Sequence, residues 1–224
     1  MEEEIASLKE MMTDAKETAH GSLHFIEGRL NGLNVVLVRS GVGKVNAALC
    51  AQQLVDLFEV SAIINTGIAG SLNADINIGD IVLSTDALEH DMDAVAFGYP
   101  LGVIPQMDCS VFVADGALRD LAKEVCKTVN PDISVFEGRV VTGDQFIADR
   151  AKKEWLISHF SPLCTEMEGA AIAHAAYNNR IPFLIVRAIS DKADDSASED
   201  YPSFEAKAIR HSVRLVSELC ARLA

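Results

Sequence analysis

The run Phe183-Leu184-Ile185-Val186 constrains this chain most, because a carboxylate follows at its far end. Four consecutive apolar residues leave no polar face for water, so they read as a strand covered on both sides. The run opens the stretch that continues Arg187-Ala188-Ile189-Ser190-Asp191-Lys192-Ala193-Asp194, with Ser190-Asp191 where the strand ends. A second acidic motif lies just upstream, Thr165-Glu166-Met167-Glu168-Gly169-Ala170-Ala171-Ile172-Ala173-His174. Charges are rarely buried without a partner or a task. Ligands of open α/β folds collect at the carboxyl ends of strands. Carboxylates of this kind on neighbouring elements point to acid/base chemistry on a small molecule.

The rest of the chain alternates helical and strand patterns. Ile5, Leu8, Met11 and Met12 predict a helix over 2–17, with acids in its first turn where the helix dipole favours them. Leu23–Leu30 and Val35–Arg39 flank Asn31-Gly32, a hairpin signal. Helices are expected over 43–58, 115–129, 150–159, 168–178 and 203–223, and strands over 61–66, 79–84 and 134–142. The segment 86–109 reads as a loop rich in Gly, Pro and Asp. Helices interleaved with apolar strands predict one three-layer α/β domain over 1–224 with a mostly buried sheet.

Composition narrows the function. A chain of 224 residues can bury a full core. A net charge of −14 argues against nucleic acid or an anionic membrane as partner, but a nucleoside carries no phosphate and stays open. Five dispersed cysteines without a C-x-x-C pair read as reduced thiols of a cytoplasmic protein. No apolar run reaches the ~18 residues of a membrane span. Met1-Glu2-Glu3-Glu4 is too acidic for a signal peptide.

Several motifs carry two readings. Ser40-Gly41-Val42-Gly43-Lys44-Val45 lacks the phosphate-loop spacing, and Val45 stands where a magnesium-binding hydroxyl is needed. It reads as a strand-to-helix turn that could still border a ligand. Asn65-Thr66-Gly67-Ile68-Ala69-Gly70-Ser71 is either an ordinary turn or a place where a ligand meets backbone closely. His90-Asp91-Met92-Asp93 reads as a polar loop or subunit contact rather than a metal site. His174 reads as a packing residue. Glu2-Glu3-Glu4, taken alone, is a solvated helix start. Glu166 and Glu168 are two apart and should diverge, one of them entering a pocket. Asp191 is either an active-site acid or a helix cap. Phe146 either stacks on a flat base or fills a core.

Taken in order, these segments resemble the 5′-methylthioadenosine/S-adenosylhomocysteine nucleosidases of the purine nucleoside phosphorylase superfamily. The likeness runs through Met1-Glu2-Glu3-Glu4, Ser40-Gly41-Val42-Gly43-Lys44, Asn65-Thr66-Gly67, Ala69-Gly70, Gly79-Asp80-Ile81-Val82, Ala96-Phe97-Gly98-Tyr99, Gly143-Asp144-Gln145-Phe146-Ile147, Glu166-Met167-Glu168 and Arg187-Ala188-Ile189-Ser190-Asp191. It implies a three-layer α/β/α fold with a mixed central sheet, and cleavage of the N-glycosidic bond of 5′-thio-substituted adenosines by water. It implies neither cofactor nor metal. By resemblance Asp191 is the acid that protonates adenine N7. An ordinary Asp titrates near ~4, so its surroundings must favour the protonated form. Glu4 matches the base that activates water, and Glu168 the carboxylate that holds the ribose hydroxyls. Ser190 orients Asp191, Met167 packs on the ribose, Phe146 stacks on adenine and Ile147 bonds its edge through backbone. Arg187, Ala69 and Gly70 fall within the matching segments, and Met1, Val42 and Phe204 match apolar walls. The loop carrying Phe97, Tyr99 and Pro105 reaches a partner subunit's pocket in the family, implying a homodimer.

Two departures stand out. The family opens with an apolar strand just before Met-Glu-Glu, which this sequence does not contain; its loss should unpair neighbouring strands and loosen Glu4. Ile68 stands where the family usually has a small residue, often Ser, and it offers an anion no donor. With no N-terminal Gly/Arg phosphate pattern visible, this favours hydrolysis over phosphorolysis. The alternatives are a purine nucleoside phosphorylase, a futalosine-type hydrolase, or a non-catalytic nucleoside-binding protein on the same fold.

Overall fold

The structure, a computed structural model, describes residues 2–195 and 197–224, with backbone alone at 198–203. The elements run α1 (Glu2–Glu10), β1 (Met12–His20), β2 (Leu23–Leu30), β3 (Leu33–Val38), α2 (Lys44–Phe58), β4 (Ile63–Ser71), β5 (Ile81–Glu89), β6 (Phe112–Val113), α3 (Gly116–Val129), β7 (Val135–Thr142), α4 (Arg150–Phe160), β8 (Cys164–Glu166), α5 (Gly169–Asn179), β9 (Phe183–Asp191) and α6 (Ala197–Leu223). The fold is a three-layer α/β/α arrangement around a mixed sheet. Helices α2 and α5 pack together on one side, and α3 packs with α6 on the other.

The central sheet closes on itself. β9 pairs parallel to β4 and antiparallel to the start of β5, and β5, β7, β8 and β4 complete the ring. β9 is therefore buried along its whole length, as its apolar run demands. The closure brings the far ends of β4, β8 and β9 together.

The predicted helix over 2–17 is corrected. It stops at Glu10, and Met12–His20 is instead a strand antiparallel to β2. Nearly all of β1 faces solvent, so backbone pairing rather than burial holds it, and the apolar period at Met11 and Met12 gave a false signal. A bulge between Thr13 and Lys16 lifts the strand, with Asp14 at φ 57°. Gly28 lies beneath it: a Cβ there would meet the Thr13 carbonyl oxygen at 2.8 Å and the Ala15 Cα at 3.2 Å.

Other boundaries also move. β4 runs on through Ser71, so the Asn65–Ser71 segment is strand rather than turn. β5 continues to Glu89, into the expected loop, and β9 carries Asp191 within it. The short strands β6 and β8 escape prediction because two or three residues give no period to read. The hairpin at Asn31-Gly32 forms as expected, both residues having positive φ.

The expected gap in the sheet is present. Among the described residues β3 pairs only with β2, and no strand joins β3 to β4. A groove of about 1200 Å³ lies there, bordered by Leu33–Val38 and by Ile63–Thr66. α1 is nevertheless anchored, with Leu8 packed among Leu30, Ile209, Val213 and Val216. Glu4 is consequently buried rather than loosened.

Gly28→Ala should lower the melting temperature, because the bulge backbone cannot retreat without breaking β1–β2 pairing. Overpacking of this kind costs about 1–3 kcal/mol, or roughly 2–4 °C for each kcal/mol in a chain of this size. Calorimetry showing an unchanged transition would mean the bulge is not packed on Gly28.

Candidate active site

Where β4, β8 and β9 end, they open a cavity of about 820 Å³. Its acidic wall is assembled from distant segments: Glu4 from α1, Glu168 from the turn between β8 and α5, and Asp191 from the end of β9.

Asp191 is 2% exposed and firmly oriented. Its Oδ2 accepts from Ser190 Oγ at 2.8 Å and its Oδ1 from the Ala193 amide at 2.8 Å. Gly70 on the paired strand gives it room, since a Cβ there would lie 2.7 Å from Asp191 Oδ1. Ser190 thus fixes one oxygen of Asp191.

Glu166 and Glu168 both border the cavity, but of the two only Glu166 has a cation partner among the described residues. Glu166 is fully engaged: Oε2 accepts from the Gly169 amide at 2.7 Å and from Arg187 Nη2 at 2.5 Å, and Oε1 accepts from Thr142 Oγ1. Arg187 is equally committed, donating also to Asn65 Oδ1 and to the Asn65 and Val186 carbonyls. Burial opposes the charge on Arg187, yet Glu166 beside it raises its pKa and keeps it protonated. Arg187 lies in the cavity wall as the cation of a saturated network.

Glu168 Oε1 accepts from the Gly43 amide at 2.8 Å. The Ser40–Lys44 turn therefore does border the site. Lys44 pins that turn, its amide donating to Asp144 Oδ1 at 2.8 Å and its ammonium reaching Glu89 at 3.0 Å and Asp91 at 2.6 Å. Burial, and next the charge of Glu166, push the Glu168 carboxyl above its ordinary pKa, against the Gly43 hydrogen bond.

The remaining walls are apolar. Phe146, 52% exposed, and the buried Ile147 flank the opening with Val42, while Met167 and Ala69 complete the wall. Phe97, 85% exposed, and Phe204, 38% exposed, do not line this cavity. Met1 falls outside the described residues. His174 stacks on Phe112 at 4.8 Å, in agreement with its reading as a packing residue. Thr66 was hidden in the sequence: its hydroxyl donates to Glu4 Oε1 at 3.0 Å. Its place after an apolar run was the available signal.

The phosphorylase superfamily profile matches residues 1–221. The chain belongs to that superfamily. Within it the chain falls in the 5′-methylthioadenosine/S-adenosylhomocysteine nucleosidase family. It is 40% identical to the nucleosidase of that name from Staphylococcus carnosus, over 100% of this chain and 97% of the relative. It superposes with a TM-score of 0.94 at 37% identity on the nucleosidase from Neisseria meningitidis in complex with methylthio-immucillin-A, covering 99% of this chain and 96% of that one. Futalosine hydrolase from Helicobacter pylori is also similar, at 31% identity and a TM-score of 0.93 over 100% and 95% of the two chains. A superfamily fold can host several nucleoside chemistries, so the side chains of the cavity carry the further argument.

Glu168→Gln should separate function from stability. A raised carboxyl pKa means that the ionised form destabilises the folded protein above that pKa, and that this penalty vanishes as pH falls toward about 4. The amide should therefore melt higher at neutral pH, the gain fading in acid, while turnover drops at least about 100-fold. A lower melting temperature at neutral pH would show that the carboxylate stabilises the empty site.

Proposed function

We propose that this chain is a hydrolase that cleaves the N-glycosidic bond of 5′-methylthioadenosine and S-adenosylhomocysteine, releasing adenine and a 5-thio-substituted ribose. The observation that carries this reading is the convergence of Glu4, Glu168 and Asp191 on one cavity flanked by Phe146. Adenine would stack on Phe146, with the backbone of Ile147 at its edge. Asp191, held by Ser190, would protonate N7 so that adenine leaves as a neutral base. Glu4 would take a proton from water as the water oxygen bonds to C1′ and the C–N bond breaks. Glu168 would hold the ribose hydroxyls, and both anions would favour an oxocarbenium-like sugar. Met167 would lie against the ribose, with Val42, Ala69 and Gly70 shaping the remaining wall. Arg187 would act through Glu166, fixing the turn that presents Glu168.

We read residues 1–224 as one domain acting as a homodimer. Phe97 is nearly fully exposed, and Val42, Val45, Leu49 and Val113 are exposed apolar residues. Such a surface favours a partner, with Phe97, Tyr99 and Pro105 near the partner's pocket. Five free thiols suit the cytoplasm, where the reaction would clear by-products of S-adenosylmethionine use and feed methionine salvage.

Adenine release from 5′-methylthioadenosine should proceed at the same rate with and without phosphate. Asp191→Asn should still bind nucleoside but lose about 10²–10⁴-fold in kcat. Dependence on phosphate would make the chain a phosphorylase. A strong preference for futalosine across a nucleoside panel would reassign the substrate, and binding without turnover would leave a nucleoside-binding protein.

A further inference from the structure

Proton counting gives direction to a chain of hydroxyls that ends on Glu4. Thr66 Oγ1 donates to Glu4 Oε1 at 3.0 Å, and the same oxygen is in hydrogen-bond contact with Ser212 Oγ on α6. A hydroxyl carries one proton and two acceptor lone pairs. With the Thr66 proton committed to Glu4, Ser212 must be the donor in the second bond. The order is therefore Ser212 to Thr66 to Glu4. Both ends are shielded from bulk water, since Ser212 and Glu4 are each 1% exposed. Hydrogen bonds in series polarise one another, most strongly where water is excluded.

No described residue of α6 lines the cavity. This helix thus reaches the site through Ser212. We infer that Ser212 and Thr66 are positioning residues for the hydrolytic step, holding the Glu4 carboxylate in one rotamer beside the sugar. The inference rests on the reading of Glu4 as the base. Thr66 acts on Glu4 directly. Ser212 acts through Thr66, by occupying a lone pair of its oxygen and so directing its single proton to the carboxylate. Glu4 comes from a short helix whose neighbouring acids are exposed, and the contact from the sheet restrains its orientation.

Steady-state kinetics on five single variants and one double variant test this, with thermal melts to confirm folding. Thr66→Val keeps the shape and removes the hydroxyl; kcat should fall about 10- to 100-fold with KM within about threefold, the loss of one hydrogen bond to a charged group. Thr66→Ser should retain kcat within about threefold, which a merely structural role for Thr66 does not require. Ser212→Ala should lower kcat about fivefold when Thr66 is present and have no further effect in the Thr66→Val background, because its influence passes through that hydroxyl. Ser212→Cys, a weaker donor of similar size, should fall between the two. Equal losses from Ser212→Ala in both backgrounds would overturn the relay, as would full kcat in Thr66→Val. Glu4→Gln distinguishes the two levels. Its inactivity alongside fully active hydroxyl variants rejects the relay alone, whereas its near-normal turnover rejects the base and the relay with it.

Discussion

The ion pair between Arg187 and Glu166 sits beneath the whole site. Both side chains are almost fully enclosed, and their nitrogen and oxygen approach to 2.5 Å. Breaking a buried pair by removing one partner costs about 3–5 kcal/mol, because the other charge is left without compensation. The pair tolerates its enclosure because every neighbour contributes. Asn65 from β4 and the Val186 carbonyl satisfy the guanidinium, while Thr142 from β7 and the amides of Glu168 and Gly169 satisfy the carboxylate. Four strands, β4, β7, β8 and β9, and the start of α5 are tied at one point. Glu168 is presented to the cavity because Glu166, two residues before it, is held.

That arrangement explains which carboxylates were readable. Asp191 is the last residue of a nine-residue strand buried throughout, so its place at a strand end was visible in the apolar run. Glu166 and Glu168 were visible as a pair, but the expectation that one of them alone enters a pocket is corrected: both border the cavity, and they differ in their partners, one accepting from Arg187 and the other from the Gly43 amide. The division of labour between them was not readable, because it depends on Asn65, Thr142 and Gly43, each far away in sequence. Glu4 was harder still. In isolation it is one of three acids at a helix start, and its burial and its contact with Thr66 set it apart from the exposed Glu2 and Glu3.

The misread elements have a common cause. β1 buries almost nothing, β6 has two residues and β8 has three. Period-based reading detects a buried face, and none of these strands offers one of sufficient length. They exist through backbone pairing with β2, β5, β7 and β4.

The charge balance of the cavity bears on the choice of nucleophile. Among the described lining residues the basic side chains are Arg39 and Arg187. Arg187 is bound to Glu166 at 2.5 Å, and Arg39 reaches Glu2 at 2.9 Å on the surface. An entering phosphate dianion would therefore meet Glu4 and Glu168 without an unpaired cation among the described residues to receive it. Ile68 lies on the same face of β4 as Thr66 and Gly70, two residues from each, because side chains along a strand alternate. It occupies the wall between the residues that contact Glu4 and Asp191, and it supplies no donor. Water needs neither cation nor anion cradle, only a base and a sugar carbon becoming positive. A cavity rich in carboxylates favours that developing positive charge while resisting an anionic competitor, so the same electrostatics that lower the barrier to C–N cleavage also select hydrolysis.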